Sequence, residues 1–270
     1  MKNTVCLSGV SLAPVTALLA IVVFFNTSAF AVSIESPPDP GFVNSVQAAD
    51  VIVDAEILSG GPFRAVGLAR KLIKGDAPKI FEIEGYNSYN WDTVHQGLSS
   101  GNRYILFLSR TDRADVFATL TPAAPKLNVQ QDSILLELGD PPFRVPVKYN
   151  ALEEGIKLIT EQATTGKTPE SAESFIHGLW DDGEIESRYL AVALTGALRD
   201  RRLHPLLADA SRDKLLKLRL TAIESLGEVA SPETINTLCI LLKDQKATVS
   251  REAARSLLSI RRADTLPELL

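Results

Sequence analysis

The chain has 270 residues, of which 45% are hydrophobic and 23% charged, and its formal net charge is -5. That size and balance fit one or two domains with a buried core and exclude a wholly disordered or collagen-like chain. The negative charge gives no support to general nucleic-acid binding. Two cysteines and three histidines are too few and too scattered for a classical zinc site.

The segment from Met1 to Ala31 reads as a secretory signal. Lys2 supplies a positive start, Val10 to Phe25 is almost wholly apolar, and Ala29-Phe30-Ala31 has the small-x-small form that precedes a cut. The alternative is an uncleaved anchor, because residues 4–25 carry no charge and are about long enough to span a bilayer. Cleavage after Ala31 would place the chain outside the cell or in the periplasm and leave Cys239 as its one cysteine.

Residues 32–45 hold three prolines and a glycine and read as a linker. The period then changes to two. Val51, Val53, Ala55 and Ile57 share one face of a strand, and Asp54 and Glu56 are expected to point to water. Further strands are predicted over 63–73, 79–84, 104–108, 115–120, 133–138 and 144–149. Pro146 cannot donate to a ladder, so the last strand belongs at an edge. Short strands separated by turn signals predict a small closed or nearly closed barrel over 46–150.

Helical spacing takes over after 150. Asn150 and Glu153 have the spacing of a capping box, and Pro169 suits a helix start. The stretch 151–185 is expected to connect and cap. From Arg188 a repeat is visible. The segments starting at Arg188, Arg219 and Arg251 each carry alanine three residues on, at Ala191, Ala222 and Ala254. Each carries a small residue eight on, at Gly196, Gly227 and Ser259. Apolar second helices follow at 203–210 and 232–243, with a stub at 265–270. The predicted fold class is therefore α+β in two parts, a β-barrel followed by an α-α solenoid over 186–270. The change of period also predicts that the two parts fold independently.

Two resemblances sharpen this. Leu72-Ile73-Lys74-Gly75-Asp76 followed by Gly101-Asn102-Arg103-Tyr104-Ile105-Leu106-Phe107-Leu108 resembles the OB-like, netrin or tissue-inhibitor-of-metalloproteinase type of barrel. The helical segments resemble HEAT repeats, including those of phycobilin lyases. The first resemblance implies a protease inhibitor. The family's zinc-chelating N-terminal cysteine has no counterpart here, because the mature terminus would be Val32. The second implies protein recognition or, more remotely, bilin attachment, which is cytoplasmic chemistry and conflicts with the signal segment.

No residue is assigned a catalytic, cofactor-binding or metal-binding role. His95, with Asp92 and Trp91, reads as an exposed loop histidine. His177 and Trp180 read as packing residues, His204 as a helix cap, and Cys239 as an inert core thiol. Arg188, Arg219 and Arg251 read as structural residues tying neighbouring helices. Between 188 and 262 there are fourteen Lys or Arg against eight Asp or Glu. Arg199, Arg201, Arg202, Lys214, Lys217, Arg261 and Arg262 are the candidate partner-binding residues, and an acidic protein partner is the expected ligand. Self-association through an open C-terminal end, with Leu257, Leu258 and Ile260 uncovered, is the rival reading. The chain thus reads as an exported, non-enzymatic adaptor. N-terminal sequencing of the exported protein is expected to begin at Val32. A chain that starts at Met1 in the membrane fraction would mark the segment as an anchor.

Overall fold

The structure is a computed structural model that describes residues 41–61, 64–85, 97–120, 126–138 and 143–262. The signal segment with Ala29 and Ala31, the loop carrying Trp91, Asp92 and His95, and the stub 265–270 lie outside the described residues. Residues 41–45, read from composition as linker, belong instead to a helix, α1 (Gly41–Ala48). Val46 is fully buried, and Phe42 stands edge-on to Phe107 at 6.1 Å. Apolar cover therefore orders a segment that its glycine and neighbouring prolines would not. Lys74 donates to the carbonyls of Val46 at 3.0 Å and Gln47 at 3.1 Å, two of the orphan acceptors at the helix end.

Five strands close the barrel: β1 (Val51–Gly60), β2 (Arg64–Lys74), β3 (Ile80–Glu84), β4 (Arg103–Arg110) and β5 (Val116–Thr119). Their order around the barrel is β1-β2-β3-β5-β4, and β4 returns to β1. The β3–β5 pair is parallel, and every other pair in the ring is antiparallel. The barrel interior holds Val51, Val53, Ala55, Ile57, Phe81, Ile83, Leu106, Leu108 and Phe117, as the alternation along β1 and β3 predicts.

β4 does double duty. Its last residues pair with β5, whereas Tyr104, Ile105 and Leu106 pair with β6 (Lys126–Gln130). Residues 126–130 carry no strand signal beyond Leu127 and Val129, and sequence reasoning missed them. From β6 the chain continues as a meander through β7 (Ser133–Leu138) and β8 (Phe143–Lys148). β8 ends the sheet with Pro146 opposite Leu135, the edge place that a missing donor requires.

Seven helices follow: α2 (Tyr149–Thr165), α3 (Glu170–Asp181), α4 (Ile185–Leu198), α5 (His204–Ala210), α6 (Leu216–Val229), α7 (Pro232–Leu241) and α8 (Ala247–Arg262). They share one apolar core with the outer face of the sheet. Ile52, Ile105, Phe107, Ile134, Leu136, Val145 and Val147 pack in the same cluster as Leu152, Ile156 and Ile159 of α2, and this cluster continues to Ile260 of α8. β1 and β4 are thus buried on both faces, which explains the unbroken apolar run from Tyr104 to Leu108. The shared core also removes the physical basis for independent folding. A chain cut at 150 would leave the outer face of β6, β7 and β8 without cover.

Asp54 is the main departure from the sequence pattern. It does not face water; it is completely buried beneath α2. Arg103 Nε donates to Asp54 Oδ1 at 2.7 Å, its Nη2 bonds the other carboxylate oxygen, and the Tyr149 hydroxyl donates to Oδ2 at 2.8 Å. The Arg103 guanidinium lies 5.1 Å from the Tyr149 ring centre. A buried carboxylate needs such pairing. Glu153 departs in the same way. No capping box forms at the start of α2, where Lys148 is the N-cap and makes no side-chain capping bond. Glu153 is buried and pairs with Lys71 of β2 at 2.6 Å and Lys157 at 2.8 Å. Burial pushes its carboxyl up, and hydrogen bonds from the two lysines outweigh that and hold it below the usual range.

Both networks tie α2 to the barrel. Asp54→Ala should lower stability by about 2 kcal/mol, because the half-exposed Arg103 can regain water while the Tyr149 hydroxyl loses its acceptor. Tyr149→Phe, which removes one hydrogen bond, should cost about 1 kcal/mol. Equal urea midpoints for the two variants would show that the ion pair contributes nothing.

Candidate interaction surface

The helical layer repeats at the spacing that separates Ser225 from Ser256. α4, α6 and α8 stack side by side, and small residues set their spacing. A Cβ on Gly196 would come within 2.9 Å of the Ser225 Cβ, and one on Gly227 within 2.9 Å of the Ser256 Cβ. The serines use the closeness. Ser225 Oγ donates to the Val192 carbonyl at 3.0 Å, and one repeat further on Ser256 Oγ donates to the Ile223 carbonyl at 3.1 Å. These pairs fix the register. Ala191, Ala222 and Ala253 are equivalent, as are Gly196, Gly227 and Leu258. The third segment aligned from Arg251 is therefore one residue out: Ser250 occupies the place of Arg188 and Arg219, and Arg251 is exposed.

Of the three expected tie residues, Arg188 acts as one. It bonds Asp213 at 2.6 Å and lies over the Trp180 ring at 4.2 Å. Arg219 has its Nε and Nη2 buried without a hydrogen-bond partner. The helix starts obey the same period. Asp182, Asp213 and Asp244 each accept the backbone N–H two residues on, from Glu184, Leu215 and Lys246, at 2.7, 2.8 and 2.8 Å. Ser231 and Thr234 form a reciprocal capping box at α7.

The predicted cations do not form one face. Arg199 sits at the C-terminal end of α4, in a left-handed conformation, and pairs with Glu228 at 3.0 Å. Arg202 pairs with Asp200 at 2.6 Å and Glu173 at 3.2 Å. Arg201 is exposed beside it. Lys214 and Lys217 lie at the opposite end of the layer, where α6 begins. Lys217 precedes Glu228 by eleven residues, about 16 Å of helix. Lys217 also lies 4.8 Å from the Phe143 ring centre, against β8. Arg261 and Arg262 fall in α8, and their side chains lie outside the described residues.

The end that carries Lys214 forms a ridge of three equivalent turns. The first holds Asp181, Asp182, Glu184 and Glu186, the second Arg212, Asp213, Lys214 and Lys217, and the third Lys243, Asp244 and Lys246. Charge changes sign along it. The acidic turn is tied to the barrel half through Glu184, which pairs with Lys148 at 2.8 Å. Among the described residues, Arg212, Lys214, Lys243 and Lys246 are exposed and have no ion pair. Sequence reasoning missed Lys243 and Lys246. The signal that finds them is the aspartate spacing 182, 213, 244.

Two clefts open where β8 meets the helices. One of about 130 Å³ is lined by Pro146, Lys148, Glu184, Ser187 and Leu190, and one of about 510 Å³ by Asp132, Lys148, Tyr149, Asn150 and Phe175. Burial pushes the Tyr149 hydroxyl up, and its bond to Asp54 adds to this, so it stays a neutral donor. Hydrogen bonding to Glu184 raises Lys148, which therefore stays charged. Neither is poised for proton transfer near neutral pH.

Three other residues differ from expectation. His177 is exposed rather than packed. His204 is not the N-cap of α5, which is Leu203; its Nε2 lies 3.0 Å from Thr237 Oγ1, between α5 and α7. Cys239 is exposed, because its stripe on α7 faces away from the preceding repeat. Ile260 is buried, whereas Leu258 is 58% exposed and Leu257 lies partly covered. Among the described residues, no group of three or more His, Cys, Asp or Glu is placed to hold a metal ion, and no helix is long and apolar enough to cross a membrane.

A family model described as HEAT repeats matches residues 172–259, from within α3 to within α8. No curated protein matches the chain. Residues 172–259 are thus similar to HEAT repeats, an architecture whose stacked units present surfaces for protein interaction. Its stacking rests on close approach. Gly227→Leu should cost about 3 kcal/mol and Gly227→Ala about 1 kcal/mol, by forcing α6 and α8 apart. Equal melting temperatures for the two variants and the parent would show that the helices have room to spare.

Proposed function

We propose that the protein is an exported, non-catalytic adaptor that binds an acidic protein segment along the basic turns of its HEAT-type repeats. The carrying observation is the ridge: Arg212, Lys214, Lys243 and Lys246 recur on equivalent turns, point to solvent, and are not used for internal pairing. An extended acidic segment running across successive turns would meet cations at each repeat and would be repelled at the acidic turn around Asp182 and Glu184. That gives the surface a direction as well as a sign.

The barrel acts in this reading as a rigid mount. Its strand order and its parallel β3–β5 pair support the OB-like description. Export rests on the apolar segment before Ala31. Of the basic residues expected from sequence to bind a partner, Lys214 and Lys217 lie on the ridge, whereas Arg199 and Arg202 are held by Glu228, Asp200 and Glu173. Rim charges mainly set association rate and salt dependence.

With a partner captured from the exported fraction, Lys214→Glu combined with Lys246→Glu should slow association about tenfold at low salt and flatten its salt dependence. Arg199→Glu with Arg202→Glu should leave the association rate near the parent value. An unchanged rate and salt slope for the ridge variant would sink the proposal, and so would turnover of a substrate by the purified chain.

A further inference from the structure

The cleft of about 130 Å³ beside β8 is smaller than a small-molecule pocket, which needs roughly 300–1,000 Å³. Its lining fits a single long side chain instead. Pro146, Val147, Ala151 and Leu190 give it an apolar floor, and Glu184 and Glu186 stand at its rim. An apolar floor under carboxylates suits the stem and head of a lysine or arginine. Lys148 is the cation already there, and it is engaged with Glu184. Among the described residues, Glu186 and the neighbouring Asp181 and Asp182 form no ion pair. Hydrogen bonds from Ser187 and from the Glu184 N–H hold the Asp182 carboxyl below its usual range, so it stays charged. One repeat along the same ridge the sign reverses position by position. Arg212 stands where Asp181 stands, and Lys217 where Glu186 stands. Arg212 and Lys214 are exposed, and the acid between them, Asp213, is already engaged by Arg188, so this turn presents positive charge.

We infer that the cleft and its acidic rim receive the Arg212–Lys214 turn of a second copy of this chain, and that the second copy's cleft receives the same turn of the first. The inference rests on the reading of the basic turns as an open docking surface. Along the ridge the charges run acidic, basic, basic. Two copies related by a two-fold axis between the first and second turns therefore oppose acid to base twice. Copies stacked in parallel register oppose like to like at every turn. The two-fold arrangement uses the same patch on both partners and closes on itself. The two turns are neighbours, about 8–10 Å apart as packed helices are, so both contacts form together. Exposed ion pairs alone contribute little; the stem of Lys214 on the cleft floor supplies the apolar part of the contact. The third turn, with Lys243 and Lys246, lies outside the paired turns and stays open to an acidic segment.

Sedimentation equilibrium of the protein purified from the exported fraction should give a two-chain mass at low salt. Its dissociation constant should rise about tenfold between about 0.05 M and about 0.5 M salt. Arg212→Glu with Lys214→Glu, and Asp181→Lys with Glu186→Lys, should each be monomeric at low salt. An equimolar mixture of these two variants should restore the two-chain mass, because opposite signs again face each other at both contacts. A parent that stays a single chain at low salt up to about 0.1 mM would overturn the inference. So would a dimer that both reversals leave intact, or a mixture that stays monomeric while both variants keep the parent's helical circular dichroism. Should a reversal lose helix, Asp181→Asn with Glu186→Gln decides: it should weaken the dimer about threefold or more at low salt, and an unchanged constant refutes the inference. A monomeric parent whose captured partner still responds to Lys214→Glu with Lys246→Glu would remove the dimer and leave the adaptor reading in place.

Discussion

A carboxylate with no access to water must find its partners inside the protein, and Asp54 finds a counter-charge and a hydroxyl donor on two different parts of the chain. Arg103 comes from β4, the strand that closes the barrel against β1. Tyr149 is the first residue of α2, the helix that opens the repeat half. The position of the first helix is therefore set by a group buried in the barrel wall. Glu153, one turn further on, adds Lys71 of β2 to the same tie. Removing the cationic partners would leave the Asp54 and Glu153 carboxylates buried without counter-charge, so the arrangement tends to persist as a whole. The apolar core then does what the polar tie permits. It runs without a break from Ile52 and Phe107 through α2 to Ile260.

From that fixed start the helices propagate by a nearest-neighbour rule. Each inner helix offers a glycine and a carbonyl, and the next supplies a serine that fills both. Two such steps are present, from α4 to α6 and from α6 to α8. The rule ends where leucine replaces glycine at position 258.

The same repetition organises charge. Because Asp182, Asp213 and Asp244 shape three like turns, the residues beside them project from equivalent places, and a change of sequence at those places becomes a change of field along a line. The acidic turn is bound to β8 through Lys148, and the basic turns are open. Cations at the other end of the helices, Arg199 and Arg202, have acids of this chain against them. Composition alone cannot separate those two groups, because pairing depends on which turn a residue occupies.

The sequence by itself determined the two-part architecture, the facing of β1 and β3 within the barrel, the edge place of β8 and the existence of a helical repeat from Arg188 onward. Each of these follows from local periodicity or from the missing donor of Pro146, which a single segment carries. Only the tertiary structure decided the rest. Asp54 follows the alternation of a solvated strand face, yet α2 covers that face, and nothing within residues 51–57 encodes the cover. Residues 126–130 are a strand because β4 has a free edge at Tyr104–Leu106. The one-residue error in the third repeat arose because arginine recurs at 251 by composition, whereas the register is set by Ser225 and Ser256 reaching carbonyls 33 residues back. Cys239 has the neighbours of a core residue and is exposed, because among the described residues no helix follows α7 in its layer. In each case the deciding contact is made by residues far away in sequence, which is why local pattern could not contain it.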